Sequence, residues 1–275
     1  MTAARRELAR HGWLLAPAVA VFAAFWLLPM ARLTLVGASG PTGIGAYAAV
    51  VTNANYLQSL VSTVLLSVVV TLVTLVISGI AGLFLQRNRF AGQRLLVAVL
   101  TLPLAFPGVV VGFMVIVLAG RQGLLGTLSE WATGERLVFA YSMLGLFVGY
   151  LYFSIPRVIL TMMAAAEKLD PALEEAARSL GATPWRVVLD VVIPGLKPAL
   201  ISAGAICFAT SMGAFGTAFT LATRINVLPI TIYTEFTNYA NFSIAAALSI
   251  VLGVITWAAL ALARTLAGST VAAAA

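Results

Sequence analysis

The sequence predicts an all-α integral membrane protein with six transmembrane helices, both termini cytoplasmic, and two short cytoplasmic helices between the fourth and fifth spans. Three observations predict it. The 275-residue chain is 61% hydrophobic and only 9% charged, with a mean hydropathy of +1.04, whereas a soluble domain carries about 25% charged residues. Six apolar stretches reach the roughly 20 residues that a helix needs to cross the hydrocarbon layer. Arg and Lys gather beside the ends of these stretches, as topology signals do, and not on a nucleic-acid-binding face.

The stretches are 13–36, 59–85, 95–119, 137–163, 197–221 and 243–264. The first follows Arg5, Arg6 and Arg10 and ends near Val36-Gly37-Ala38, which loosely resembles a signal-peptide cleavage site. Its apolar run of about 24 residues exceeds the 7–15 of a signal-peptide core, so it reads as a retained helix. The third contains Leu-Pro-Leu-Ala-Phe-Pro-Gly, where Pro103 and Pro107 predict a kink. The fifth mixes Gly213 and Gly216 with the hydroxyls of Thr210, Ser211, Thr217 and Thr220. Such a segment fits a bent helix that lines a pathway, or ordinary interhelical hydrogen bonding. Gly108 with Gly112, Gly145 with Gly149, and Ser78 with Gly82 are small-xxx-small pairs that let helices approach closely within a bundle.

The positive-inside rule sets the orientation. The cytoplasmic side receives Arg5, Arg6, Arg10, Arg87, Arg89, Arg94, Arg157, Lys168, Arg178, Arg186, Lys197 and Arg264; the other side keeps Arg32, Arg121, Arg136 and Arg224. Arg157 and Arg32 read as snorkelling from helix ends to the interface. Outer loops fall at about 37–58, 120–136 and 222–242, and no second domain interrupts the single transmembrane unit spanning 1–275. Glu130 and Glu135 in the second outer loop read as solvated surface.

The inner segment 164–196 is the one long stretch with the pattern of amphipathic structure in water. Asp170 and Pro171 are a helix start, a capping carboxylate followed by a first-turn proline. Glu174 and Glu175 then suit the helix dipole, and Leu173, Ala176, Ala177 and Leu180 form one apolar stripe. Gly181 is placed to end the helix in a left-handed conformation. A second start follows at Thr183 and Pro184, with a helix through Trp185 to about Val192 that Pro194 ends. This apolar ridge suits a groove in a soluble partner.

Glu175-Ala176-Ala177, three residues, Gly181, nine residues, then Val191-Val192-Ile193-Pro194 resembles the EAA signature of binding-protein-dependent ABC importer permeases, with two aliphatic exchanges and both spacings kept. The signature lies between the fourth and fifth of six helices, where type I importers of that family carry it. The resemblance implies a permease without enzymatic activity of its own, whose helix at about 171–181 docks into a separate ATPase subunit. By resemblance Glu174, Glu175, Ala176, Ala177, Gly181 and Pro194 make or shape that contact, while Thr210, Ser211, Gly213, Gly216 and Thr217 line the pathway. It also implies a second permease chain, identical or homologous, two ATPase subunits that hold ATP and Mg, a periplasmic substrate-binding protein, and a bacterial inner membrane. No cofactor is expected on this chain.

What the chain lacks agrees. A P-loop needs a Lys after Gly, and neither Lys168 nor Lys197 has that setting. The single cysteine, Cys207, excludes an intrachain disulfide, and with His11 as the one histidine a His/Cys metal site has no ligands. The rival reading is an ion- or proton-coupled secondary carrier, which would hold carboxylates at mid-membrane; the middles of the six stretches contain no Asp, Glu or Lys. Glu235 sits among aromatics in the last outer loop, where it reads as solvated surface, a contact for the binding protein, an outer-gate group or a contact for a cationic substrate. The pattern resembles the branch serving polyamines, iron, sulfate-like oxyanions, thiamine and aminophosphonates. A polyamine is the first expectation, with an aminophosphonate or other oxyanion next.

Overall fold

Apolar length decides where the long helices fall, and prolines and glycines decide where they break. A computed structural model of the protein describes residues 12–40, 43–221 and 225–267. Arg5, Arg6, Arg10, His11 and Arg224, invoked above for topology and metal chemistry, lie outside the described residues. Among the described residues six helices are long and apolar enough to cross a membrane: α1 (Ala16–Ala38), α3 (Ala54–Arg87), the span Gly108–Thr133, α7 (Met143–Glu167), α9 (Pro184–Met212) and α12 (Phe242–Ala267). Shorter helices stand between them: α2 (Gly45–Thr52), α4 (Gln93–Thr101), α8 (Pro171–Ser179), α10 (Phe215–Leu221) and α11 (Leu228–Thr237). Among the described residues there is no strand.

Three boundaries differ from the sequence expectations. The third stretch, 95–119, is not one helix. After α4 the chain tightens into a 3₁₀ turn at Leu102–Ala105, turns extended at Phe106 and Pro107, and restarts as α5 (Gly108–Ala119). Pro103 and Pro107 remove two helical donors within five residues, more than a kink can absorb. After a turn at Gly120, α6 (Leu124–Thr133) extends this span into the expected loop. The fifth stretch ends early, at Gly213, and α10 follows as a separate helix. Pro194, expected to end a helix, instead lies inside α9. A π-helical turn at Val188–Val192 precedes it, and a widened turn accommodates the missing N–H without ending the helix. The outer loops are also less irregular than expected, since they contain α2, α6 and α11.

The chain groups into two compact units. One takes the described residues of Met1–Leu57 with Thr231–Gly253; the other takes those of Gln58–Ile230 with Val254–Ala275. In the first, Tyr47 on α2 donates to the Thr34 carbonyl on α1 at 3.0 Å, and Ser243 donates to the Gly37 carbonyl at 3.2 Å. Burial pushes the Tyr47 hydroxyl up from its ordinary pKa, and the hydrogen bond at Thr34 offsets part of that.

The second unit holds a core around Leu146, Tyr150 and Met162 of α7, Val70 of α3, Cys207 of α9 and Leu221 of α10. One face of α3 is small and hydroxylated along its length: Ser59, Thr63, Ser67, Thr71, Thr74, Ser78 and Gly82 are all buried. Without a hydrophobic driving force in lipid, such a face lets neighbours come close and bond. Ser78 donates to the Ile155 carbonyl of α7 at 3.1 Å, and Thr63 accepts from the Leu228 amide at 2.7 Å. The other small-residue pairs also pack within the chain. A Cβ at Gly112 would lie 2.6 Å from the Thr220 Cβ, and one at Gly149 would lie 2.7 Å from the Thr217 Cγ2.

Candidate functional site

Two features carry the functional residues. The first is the segment from Lys168 to Val192. Asp170 caps α8 by accepting from the Ala172 amide at 2.9 Å, and Thr183 caps α9 by accepting from the Arg186 amide at 3.4 Å. Between them Gly181 takes φ +84°. The Ala182 amide donates to the Ala177 carbonyl at 3.0 Å, and the Gly181 amide donates to the Arg178 carbonyl at 2.9 Å, the paired bonds of a Schellman stop.

The expected coupling residues divide by direction. Ala177 turns inward and packs with Ala166, Val187, Val192 and Leu196. Glu174 also turns inward: its carboxylate, 13% exposed, pairs with Arg87 at the end of α3 and lies 3.8 Å from Arg178. Glu175, Ala176 and Gly181 are exposed, and so is Pro194. Around them an apolar ridge stands open, with Leu173 58%, Leu180 89% and Trp185 69% exposed. Helix α8 is thus braced from behind and apolar in front.

The second feature is a cleft of about 340 Å³ in the same unit, lined by Pro103, Phe106, Gly108, Phe153, Arg157, Thr210, Ala214, Gly216 and Thr217 among others. The break before α5 and the break at Gly213 meet on its wall, where Gly108 and Val109 pack against Gly216 and Thr217. Of the five expected pathway residues, Thr210, Gly216 and Thr217 are on this wall. Ser211 faces the interior, fully buried with no hydrogen-bond partner among the described residues. Gly213 ends α9 and is exposed, but it does not line the cleft. The wall hydroxyls are already committed: Thr217 donates to the Gly108 carbonyl at 2.9 Å, and Thr210 donates to the Ile206 and Cys207 carbonyls at 2.9 and 3.0 Å. Tyr150, just behind, donates to the Ala214 carbonyl at 2.7 Å.

Arg157 is the residue of the cleft that sequence reasoning missed. It lines the cleft and stands ten residues before the end of α7 at Glu167, about 15 Å at 1.5 Å per residue. No signal in the sequence names the cleft, because the opposing wall comes from residues about fifty positions away on either side.

The solvated-surface reading of Glu235 is overturned. The residue is 7% exposed. Its carboxylate accepts from the Tyr56 hydroxyl at 2.9 Å and the Asn241 side-chain amide at 3.2 Å, and it lines an outward recess with Tyr239, Asn241 and Ser243. Glu130 is surface as expected, paired with Arg136 at 2.6 Å with both side chains exposed.

Comparison with known proteins gives this arrangement a family. A sulfate transport system permease protein, CysT, of Escherichia coli K12 is 34% identical over 199 residues, covering 72% of this chain and 70% of its own. The molybdenum transport system permease protein ModB of the same strain is 36% identical over 197 residues, 68% of this chain and 85% of its own. A putative 2-aminoethylphosphonate transport system permease protein, PhnU, of Salmonella typhimurium LT2 is 28% identical over 246 residues, 87% and 86% of the two chains. The fold matches a chain in the crystal structure of a bacterial alginate ABC transporter bound to its periplasmic protein, with TM-score 0.79 and 18% identity over 94% of this chain and 95% of that one. Residues 75–269, from the middle of α3 onward, match the model of binding-protein-dependent transport system inner membrane components, and this six-span membrane chain belongs to that family.

Proposed function

We propose that this chain is the transmembrane permease subunit of an ATP-driven importer, passing a small anion from a periplasmic binding protein into the cytoplasm. Both termini and the segment 164–196 lie on the cytoplasmic side of a bacterial inner membrane. There α8 docks into one of two ATPase subunits, which bind ATP and Mg, and a second permease chain completes the pathway. The observation that carries this reading is the ridge of Leu173, Leu180 and Trp185, exposed and apolar while Glu174 and Ala177 brace it from behind. Apolar side chains so presented on a capped helix suit a groove in a partner.

An anion is favoured because the relatives above are named for sulfate, molybdenum and 2-aminoethylphosphonate. The cleft supports it, since among the described residues no carboxylate lines it. A polyamine, the first expectation from sequence, has no counterpart among those names. Glu235, held by Tyr56 and Asn241, serves as an outer-gate brace that joins α11 to the start of α3. An ion-coupled carrier is disfavoured for the same lack of a carboxylate in the cleft.

The test is co-purification in detergent with the products of adjacent genes, followed by ATPase assay. An ATPase that co-purifies and is lost from Gly181→Val and Glu175→Arg supports the reading. A chain that purifies alone and transports without ATP replaces it with a secondary carrier.

A further inference from the structure

We propose that Arg157 is the counter-charge for the transported anion, presented from the wall of the cleft near mid-span; the inference rests on the permease reading above. Helix α7 has its midpoint at Ile155, so Arg157 stands two residues on, about 3 Å along the axis. A guanidinium at that depth is costly unless it meets water, a partner or a ligand. Among the described residues no carboxylate pairs with it, and the other residues of the cleft wall are uncharged.

Hydrogen-bond direction sharpens the assignment. The hydroxyls of Thr210 and Thr217 on the wall already spend their protons on backbone carbonyls, which leaves them lone pairs to offer. An anion needs donors. Arg157 brings five N–H groups in a planar fork that matches two oxygens of a tetrahedral or carboxylate-like group. The start of α5 at Gly108 and Val109 lies on the same wall and adds potential of the same sign. The wall therefore recognises charge first and shape second, as suits an oxyanion in transit that must not be bound too tightly.

Charge-selective labelling tests this whichever anion is carried. Thr210→Cys places a thiol on the wall, while Cys207 is buried and gives the unlabelled background. Its rates with a sulfonate-bearing and a trimethylammonium-bearing methanethiosulfonate are compared with those of a free thiol in solution. The anionic reagent is expected to be favoured by about a hundredfold, since one unit charge about 12 Å away at an effective dielectric constant near 20 raises the anion's rate and lowers the cation's by about tenfold each. Arg157→Gln should bring the ratio to about one, and Arg157→Lys should keep most of it. A ratio near one in Thr210→Cys alone overturns the proposal whether or not Arg157→Gln folds, as does an unchanged ratio in Arg157→Gln.

Uptake of labelled sulfate, molybdate and 2-aminoethylphosphonate into proteoliposomes holding the assembled transporter separates this from the parent reading. Arg157→Gln is expected to lower uptake at least tenfold while ATPase stimulation by the binding protein persists. Wild-type uptake that needs no ATP sinks the importer reading and leaves the labelling ratio to judge Arg157. Equal ATP-driven uptake by wild type and Arg157→Gln sinks Arg157 alone.

Discussion

The Thr217 hydroxyl donates to the Gly108 carbonyl at 2.9 Å, tying the first residue of α5 to the helix that follows the break at Gly213. Gly149 of α7 lies against the same threonine methyl, so three segments converge on one side chain beside the cleft. Thr217→Val keeps the shape and removes the donor, leaving the partly buried Gly108 carbonyl one donor short. A loss of about 1 kcal/mol is expected, read as a lower melting temperature in detergent, and Thr217→Ser should recover most of it. Equal melting of Val and Ser variants would show that packing, not the hydrogen bond, holds the wall.

Gly181 has open space around it, so substitution there isolates the backbone. At φ +84° an L side chain is strained by about 1 kcal/mol, and by more for a β-branched one. Gly181→Asn should therefore retain ATPase binding nearly in full, while Gly181→Val should lose most of it in pull-down. If Asn and Val bind alike, the left-handed stop does not set the docking angle.

The Arg87–Glu174 pair joins the end of α3 to the back of α8. Because it is partly exposed, its worth to global stability is small, about 0.5 kcal/mol. On the coupling reading proposed above, its worth is the orientation of α8. Arg87→Glu and Glu174→Arg should each lower uptake per ATP hydrolysed several-fold with little change in melting, and the two together should restore much of it. A double variant no better than the single ones removes the pair from the mechanism.

Glu235 makes a sharper distinction between brace and ligand. Glu235→Gln keeps an acceptor for Tyr56 and removes the charge, so uptake should stay within about twofold of wild type. Glu235→Leu strands the Tyr56 hydroxyl and the Asn241 amide at a cost of about 1–3 kcal/mol, and should lower the melting temperature clearly. Strong loss of uptake in Glu235→Gln at unchanged melting would make the carboxylate a substrate contact instead.

Local chemistry is legible in the sequence, and meetings across the fold are not. Asp170-Pro171, Thr183-Pro184 and Gly181 act on amides within a few residues, and each does in the structure what its residue type dictates. Six spans are legible because hydropathy needs no partner. Glu235 reads wrongly as surface because its burial depends on Tyr56, 179 positions away, and hydrophobic patterning carries no record of such a meeting. Arg157 is misplaced for a related reason: its distance from the helix end depends on α7 continuing to Glu167, past the last strongly apolar residue. Pro194 misleads differently. Its propensity to end a helix is real, and the π turn before it is a remedy that propensity cannot announce.

That π turn keeps the chain helical through Pro194. From the cap at Thr183 to Met212 the chain is one helix of 29 residues, about 44 Å at 1.5 Å per residue, with Trp185 at one end and Thr210 at the other. Had Pro194 cut it, a push on the exposed ridge would have been spent bending a loop. On the coupling reading proposed above, a tilt of α9 by about 10° about its middle moves each end by roughly 4 Å with opposite sign, so motion at Trp185 is passed along continuous helix toward the cleft wall at Thr210.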